Sequence, residues 1–129
     1  RIVVIVAGTN DALRAIPTVQ TTANLRSLLD QARARDIATC ILTVPPLRPG
    51  TQLSDGSAWD RNRRIRNIND WIKAEAPGYG ATVVDAYAAL VDDLGDLAFA
   101  YARPDGIHLN ADGYDRLARL LSPIVQQLR

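Results

Sequence analysis

Two short polar clusters and a single imidazole carry the chemistry open to this sequence. Gly8-Thr-Asn-Asp11 follows directly on an apolar run, and Asp105-Gly-Ile-His108 stands just before the amphipathic C-terminal segment. His108 is the only histidine. Asp105 precedes it by three residues, a spacing at which a carboxylate on a tight turn reaches the imidazole of its own segment. Such a carboxylate holds Nδ1–H and leaves Nε2 free as a base, the orienting role of a triad acid. Asn10 brings a side-chain N–H donor, suited to an oxyanion that develops on an attacked carbonyl. A zinc site is disfavoured, because one histidine and one cysteine supply too few of the usual ligands.

Acyl transfer also needs a nucleophile, and the serines are poorly placed to be one. Ser54 and Ser57 lie in a loop that follows no strand, while Ser27 and Ser122 fall in helical patterns. There is no Gly-x-Ser-x-Gly elbow, which disfavours the α/β-hydrolase arrangement. Gly8 and Trp59 are further candidates for substrate contact, Trp59 because it adjoins a Pro- and Gly-rich loop. Trp71 reads equally well as helix packing. The basic cluster Arg61, Arg63, Arg64 and Arg66 alternates with inward Ile65, which makes it a solvated helix face.

These residues need elements to position them. Ile2 to Val6 is a continuous apolar run, the pattern of a strand buried on both faces of a parallel sheet. Gly8 to Asp11 is expected as a turn. A helix is predicted over 18–35, with Leu25, Leu28, Leu29 and Ala32 on one stripe. Ile37 to Val44 is the next buried strand, stopped by Pro45 and Pro46. Leu47 to Ser57 reads as a loop, Ala58 to Glu75 as a helix, and Ala81 to Asp85 as a third strand. A short helix over Ala86 to Asp93 and a polar turn at Arg103 to His108 lead to a last helix near Asn110 to Leu128. Asn110 is placed to cap that helix, and Pro123 should kink or split it.

Strands alternating with helices imply right-handed βαβ units and a parallel sheet covered on both faces. In such sheets ligands bind outside the carboxyl ends of the strands, where both polar clusters can meet. The 129 residues suit one domain, and a composition with 47% hydrophobic and 22% charged residues is ordinary for a globular chain. A net charge of +1 gives no electrostatic case for nucleic acid as partner, and no apolar run is long enough to span a membrane. Cys40 lies in an apolar run and is expected to be a buried, inert thiol. The chain contains no methionine and opens at Arg1 directly into an apolar strand, so further residues, including at least one strand, are expected upstream.

Both clusters resemble known blocks of one family. Gly8-Thr-Asn-Asp11 resembles the third conserved block of the SGNH/GDSL hydrolases, and Asp105-Gly-Ile-His-Leu-Asn110 resembles the fifth. Ala111-Asp-Gly-Tyr114 is similar to the start of that family's last helix, and Val83-Val-Asp-Ala86 to its preceding strand. Either tetrapeptide alone is a weak signal; both in this order, over the whole chain, make a strong one. The resemblance implies a flavodoxin-like, three-layer α/β/α fold with a parallel sheet. It implies that Asn10 is an oxyanion donor, His108 the general base, Asp105 its partner, and Asp11 a structural tie to neighbouring backbone.

The same resemblance implies an ester hydrolase without metal or organic cofactor, acting on a small-molecule carboxylic ester. A lipase, an esterase or a carbohydrate deacetylase would all fit. The family's nucleophilic serine and an oxyanion glycine follow its first two strands, and both would lie before Arg1. The expected partner is therefore an upstream segment of the same protein. The sequence leaves the compartment open; many relatives are secreted, and a secreted or periplasmic location would fit. The residues alone also leave a second reading open, a non-catalytic doubly wound module that binds a ligand at the same sheet edge.

Overall fold

The apolar β-branched runs become the strands of a parallel sheet. The computed structural model describes residues 1–129. It contains β1 (Ile2–Ile5), α1 (Thr9–Leu13), α2 (Thr18–Ala34), β2 (Ala38–Leu42), α3 (Asp55–Glu75), β3 (Thr82–Val84), α4 (Ala86–Leu90) and α5 (Ala111–Gln127). Single 3-10 turns occupy Ala76–Tyr79 and Phe99–Tyr101. The sheet order is β1-β2-β3, with Ile5 opposite Ile41 and Ile41 opposite Val83.

Side chains alternate between the two faces of each strand, and a helical layer covers each face. On one face Ile5 and Ile41 pack with Leu25 and Leu29 of α2 and with Ile65, Ile68 and Ile72 of α3. On the other, Cys40, Leu42 and Val84 meet Leu117, Leu120, Leu121 and Ile124 of α5. The result is the three-layer α/β/α arrangement. Cys40 is 0% exposed in the central strand, and burial pushes its thiol up from the ordinary value. β1 pairs with β2 alone, and its Val4 and the following Val6 are 37% and 60% exposed.

Most sequence expectations hold for element type, with one exception at residues 8–11, and several boundaries shift. Gly8 to Asp11 is not a plain turn. Gly8 takes φ +122° and redirects the chain so that Thr9 starts the short helix α1, which buries Ala12. The expected loop over Leu47 to Ser57 ends early, because Ser54 Oγ accepts from the Ser57 N–H and starts α3 at Asp55. α4 stops at Leu90 rather than Asp93. Asp92 Oδ1 accepts from the N–H groups of Leu94 and Asp96, a local turn that competes with further helix. α5 runs unbroken through Pro123 instead of splitting; Pro123 is exposed, and its ring costs the helix a backbone bond at the solvent side. Asn110 caps α5 as expected, its Oδ1 accepting from Gly113 N–H at 2.9 Å.

Candidate active site

The site forms where the carboxyl ends of β1 and β2 meet the turn that precedes α5. Asn10 lies in the first turn of α1 with its side chain exposed, immediately beyond β1. Its position depends on Gly8. A Cβ there would stand 2.7 Å from Val44 Cγ2, and the φ of +122° is one that side-chain-bearing residues rarely adopt. Asp11 does not tie the turn to neighbouring backbone through its carboxylate. Its Oδ2 accepts instead from the Thr21 hydroxyl of α2 at 2.8 Å, which anchors α1 to the helix that follows.

The second cluster is a closed turn. Arg103 N–H donates to His108 O at 2.8 Å and Gly106 N–H to Arg103 O at 3.0 Å, with Gly106 at φ +78°. Asp105 organises the turn from within. Its Oδ1 accepts the N–H groups of Ile107 and His108 at 2.8 and 2.9 Å, and its Oδ2 lies 2.5 Å from His108 Nδ1. Burial raises the carboxyl, but the hydrogen bonds from the His108 ring and from the two N–H groups outweigh it and hold Asp105 down to about 2. The Asp105 side chain is 20% exposed while that of His108 is 65% exposed. The acid is thus enclosed and the imidazole is presented to solvent.

Asn10 and His108 line the same cleft, of about 260 Å³, whose apolar walls include Val6, Pro45, Leu109 and Leu117. The chain has brought together two segments about a hundred residues apart. The arrangement offers a fixed imidazole and an amide donor over an apolar floor, the parts that acyl transfer requires beside a nucleophile.

The other sequence candidates stand outside this cleft. Trp59 is on α3, 63% exposed, with the Arg63 guanidinium 5.5 Å from its ring centroid. Gly8 supports Asn10 from behind and does not line the cleft. Ser27, Ser54, Ser57 and Ser122 are likewise absent from its lining. Asp60 gathers Arg61, Arg63 and Arg64 into ion pairs of 2.9, 2.9 and 3.4 Å; Arg63 is exposed, while Arg61 and Arg64 are half-buried.

Sequence reasoning missed Asn62 and Asn69. Both are buried on α3, and their amides hold the backbone of residues 47 and 44 next to the site. The available signal was polar side chains on the inward stripe of a helix, interleaved with Ile65, Ile68 and Ile72.

Comparison with known proteins identifies the family and the fold. The sequence pattern of the GDSL-like lipase/acylhydrolase family matches residues 1–116, and the chain belongs to that family of hydrolases. A Bacteroides fragilis protein assigned as an acylhydrolase has a similar structure, with a TM-score of 0.85, 29% identity, and 99% of this chain aligned to 62% of that one. A GDSL-like lipase from Bacteroides thetaiotaomicron gives a TM-score of 0.85 and 25% identity over 99% of this chain and 63% of that one. The OSK domain of Drosophila Oskar shares the fold at a TM-score of 0.73 and 19% identity, over 95% of this chain and 60% of that one. No curated protein matches the sequence. The chain therefore spans less than two thirds of the length of these structures.

Proposed function

We propose that this chain carries the oxyanion donor and the acid–base pair of a serine hydrolase that cleaves carboxylic esters. The observation that carries the proposal is the shared cleft. Asn10 and His108 face one cavity, and the His108 ring is gripped by Asp105 at 2.5 Å on the Nδ1 side, leaving Nε2 for the reaction. In this reading His108 Nε2 takes the proton of a serine hydroxyl as its oxygen attacks the ester carbonyl. Asn10 Nδ2 donates to the resulting oxyanion. Collapse of the tetrahedral adduct expels the alcohol, which receives the proton from His108, and leaves an acyl-enzyme. Water, deprotonated by the same Nε2, attacks the acyl carbonyl. The acyl–oxygen bond breaks, the serine oxygen takes the proton back from His108, and the carboxylic acid leaves.

The nucleophilic serine belongs, on this proposal, to an upstream segment of the same protein. Three observations support it. No serine of this chain lines the cleft, the outer edge of β1 is unpaired beside exposed Val4 and Val6, and similar structures are longer than the chain. An apolar strand left open in this way invites pairing, which a preceding strand would satisfy. The substrate is proposed as a small-molecule ester; no helix of the chain is long and apolar enough to cross a membrane.

The test is hydrolysis of p-nitrophenyl acetate and butyrate by the complete protein, alongside inactivation by a fluorophosphonate with peptide mapping of the labelled residue. Turnover with label on one serine upstream of Arg1 supports the reading. A folded, complete protein that neither turns over esters nor takes the label overturns it in favour of a binding module.

A further inference from the structure

Both halves of the candidate site rest on one extended segment, residues 44–51, which leaves β2 and belongs to no strand. On one side, Val44 packs against Gly8, so closely that a Cβ on the glycine would come within 2.7 Å of Val44 Cγ2. On the other, Arg48 N–H donates to Gly106 O and Thr51 N–H to Pro104 O, each at 2.9 Å. The backbones there are in direct contact. A Cβ on Gly106 would meet Arg48 O at 2.1 Å, and one on Gly50 would meet Asp105 C at 2.7 Å. Where this segment goes, Asn10 and the Asp105–His108 turn must follow.

The segment contains Pro45, Pro46 and Pro49, none of which has an N–H to donate. Two asparagine side chains supply the missing partners. Asn69 Oδ1 accepts from Val44 N–H at 2.6 Å while its Nδ2 donates to Val44 O at 2.9 Å. Asn62 repeats the pattern, accepting from Leu47 N–H at 2.8 Å and donating to Leu47 O at 2.8 Å. Asn62 Nδ2 also lies 3.2 Å from Asp96 Oδ1. The two residues stand on the same face of α3, two turns apart, and are 1% and 3% exposed. A primary amide offers one acceptor and two donors, so it pairs with both polar groups of one residue as a neighbouring strand would.

We propose that Asn62 and Asn69 are positioning residues of the hydrolytic site, each serving one half of it. Asn69 fixes Val44 and, through Gly8, the placement of Asn10. Asn62 fixes Leu47 and, through Arg48 and Gly106, the placement of the Asp105–His108 turn. The assignment of the two halves to catalysis rests on the function proposed above; the mechanical linkage does not.

The experiment uses the complete protein, labelled with ¹⁵N, and the variants Asn62→Leu and Asn69→Leu. Amide resonances are compared with wild type, and kcat and KM are measured on a p-nitrophenyl ester below each variant's melting temperature. The expected result is crossed. Asn62→Leu shifts the resonances of residues 103–108 and spares those of 8–10, and Asn69→Leu does the reverse. Each lowers kcat at least about tenfold with KM changed by less than about threefold, the mark of misplaced reacting groups. Folded variants whose shifts do not separate in this way, or whose kcat equals that of wild type, overturn the proposal.

Should the leucine variants fail to fold, Asn62→Asp and Asn69→Asp carry the same test. A buried neutral carboxylic acid keeps a donor and an acceptor, and its ionisation removes the donor. Their resonances should therefore match wild type at acid pH and diverge as pH rises, and a wild-type pattern at every pH overturns the proposal. An inactive wild-type protein that still shows the crossed shifts would sink the hydrolase reading and leave the linkage standing.

Discussion

Asp105 holds His108 at two points, its Oδ1 accepting the backbone N–H at 2.9 Å and its Oδ2 meeting the ring Nδ1 at 2.5 Å. Backbone and side chain of the histidine are fixed by one carboxylate, which separates orientation of the ring from integrity of the turn. In the complete protein, His108→Ala should reduce ester hydrolysis to background. Asp105→Asn keeps an acceptor for the Ile107 and His108 N–H groups but loses the charge beside the imidazole. Its kcat should fall by up to about 10⁴-fold, with a melting temperature lowered less than that of Asp105→Ala. Asp105→Ala should lose both. Steady-state kinetics and thermal melts of the three variants decide the matter; an active His108→Ala ends the assignment.

The same carboxylate makes stability depend on acid. Asp105 is held at about 2 in the folded chain against an ordinary 3.8. A carboxyl lowered by folding stabilises the native state above its unfolded value, and the contribution is lost as pH falls through the folded value. The urea midpoint of wild type should therefore exceed that of Asp105→Asn at neutral pH. The gap should close as pH drops from about 4 to about 2. A gap that widens on acidification would show that the carboxylate is not held in this way.

Asn10 and Asp11 are adjacent, yet their variants should behave differently. Asn10 presents an exposed amide to the cleft, so Asn10→Ala should lower kcat by about 100- to 1000-fold, roughly 2.7 to 4 kcal/mol, with KM little changed. Asp11 faces Thr21 of α2. Asp11→Ala and Thr21→Val should each lower the melting temperature, and the double variant should cost less than their sum, since one hydrogen bond is shared. A destabilised Asn10→Ala with normal kcat would make the whole tetrapeptide structural.

Two left-handed glycines supply an internal comparison. Gly80 has φ +80° and nothing within 4 Å of a built Cβ, whereas Gly106 has φ +78° and Arg48 O at 2.1 Å. Gly80→Ala should cost only the conformational term, about 1–2 kcal/mol. Gly106→Ala must in addition drive the 103–108 turn away from residue 48, so it should cost more and also reduce kcat. Equal losses in denaturant melts would mean that the backbone there yields freely.

The two clusters of the candidate site were legible because each is contiguous in sequence. Gly8-Thr-Asn-Asp11 and Asp105-Gly-Ile-His108 carry their geometry within four residues, where turn chemistry and spacing can be read directly. The strands were legible for a similar reason: Ile2 to Ile5 and Ala38 to Leu42 are short, β-branched-rich runs whose pattern reads as strand. Asn62 and Asn69 were not legible, since their partners lie 15 and 25 residues away along the chain and are backbone atoms of any residue type. Trp59 adjoins the Pro- and Gly-rich loop in sequence, but in the fold it stands on α3, 63% exposed and outside the cleft that Asn10 and His108 share. The short helix α1 was missed because five residues show no period, and a single glycine φ decides it.

Cys40 occupies the middle of β2, the central strand, with 0% exposure, and this chain has no other thiol. A water-soluble disulfide reagent can reach that sulfur only after the sheet has come apart, and burial keeps the thiol in its unreactive protonated form until then. When reclosing outpaces modification, the labelling rate measures the fraction of molecules whose centre is open. The chain thus contains its own gauge of core breathing, a single reactive atom at the depth where native fluctuations are rarest.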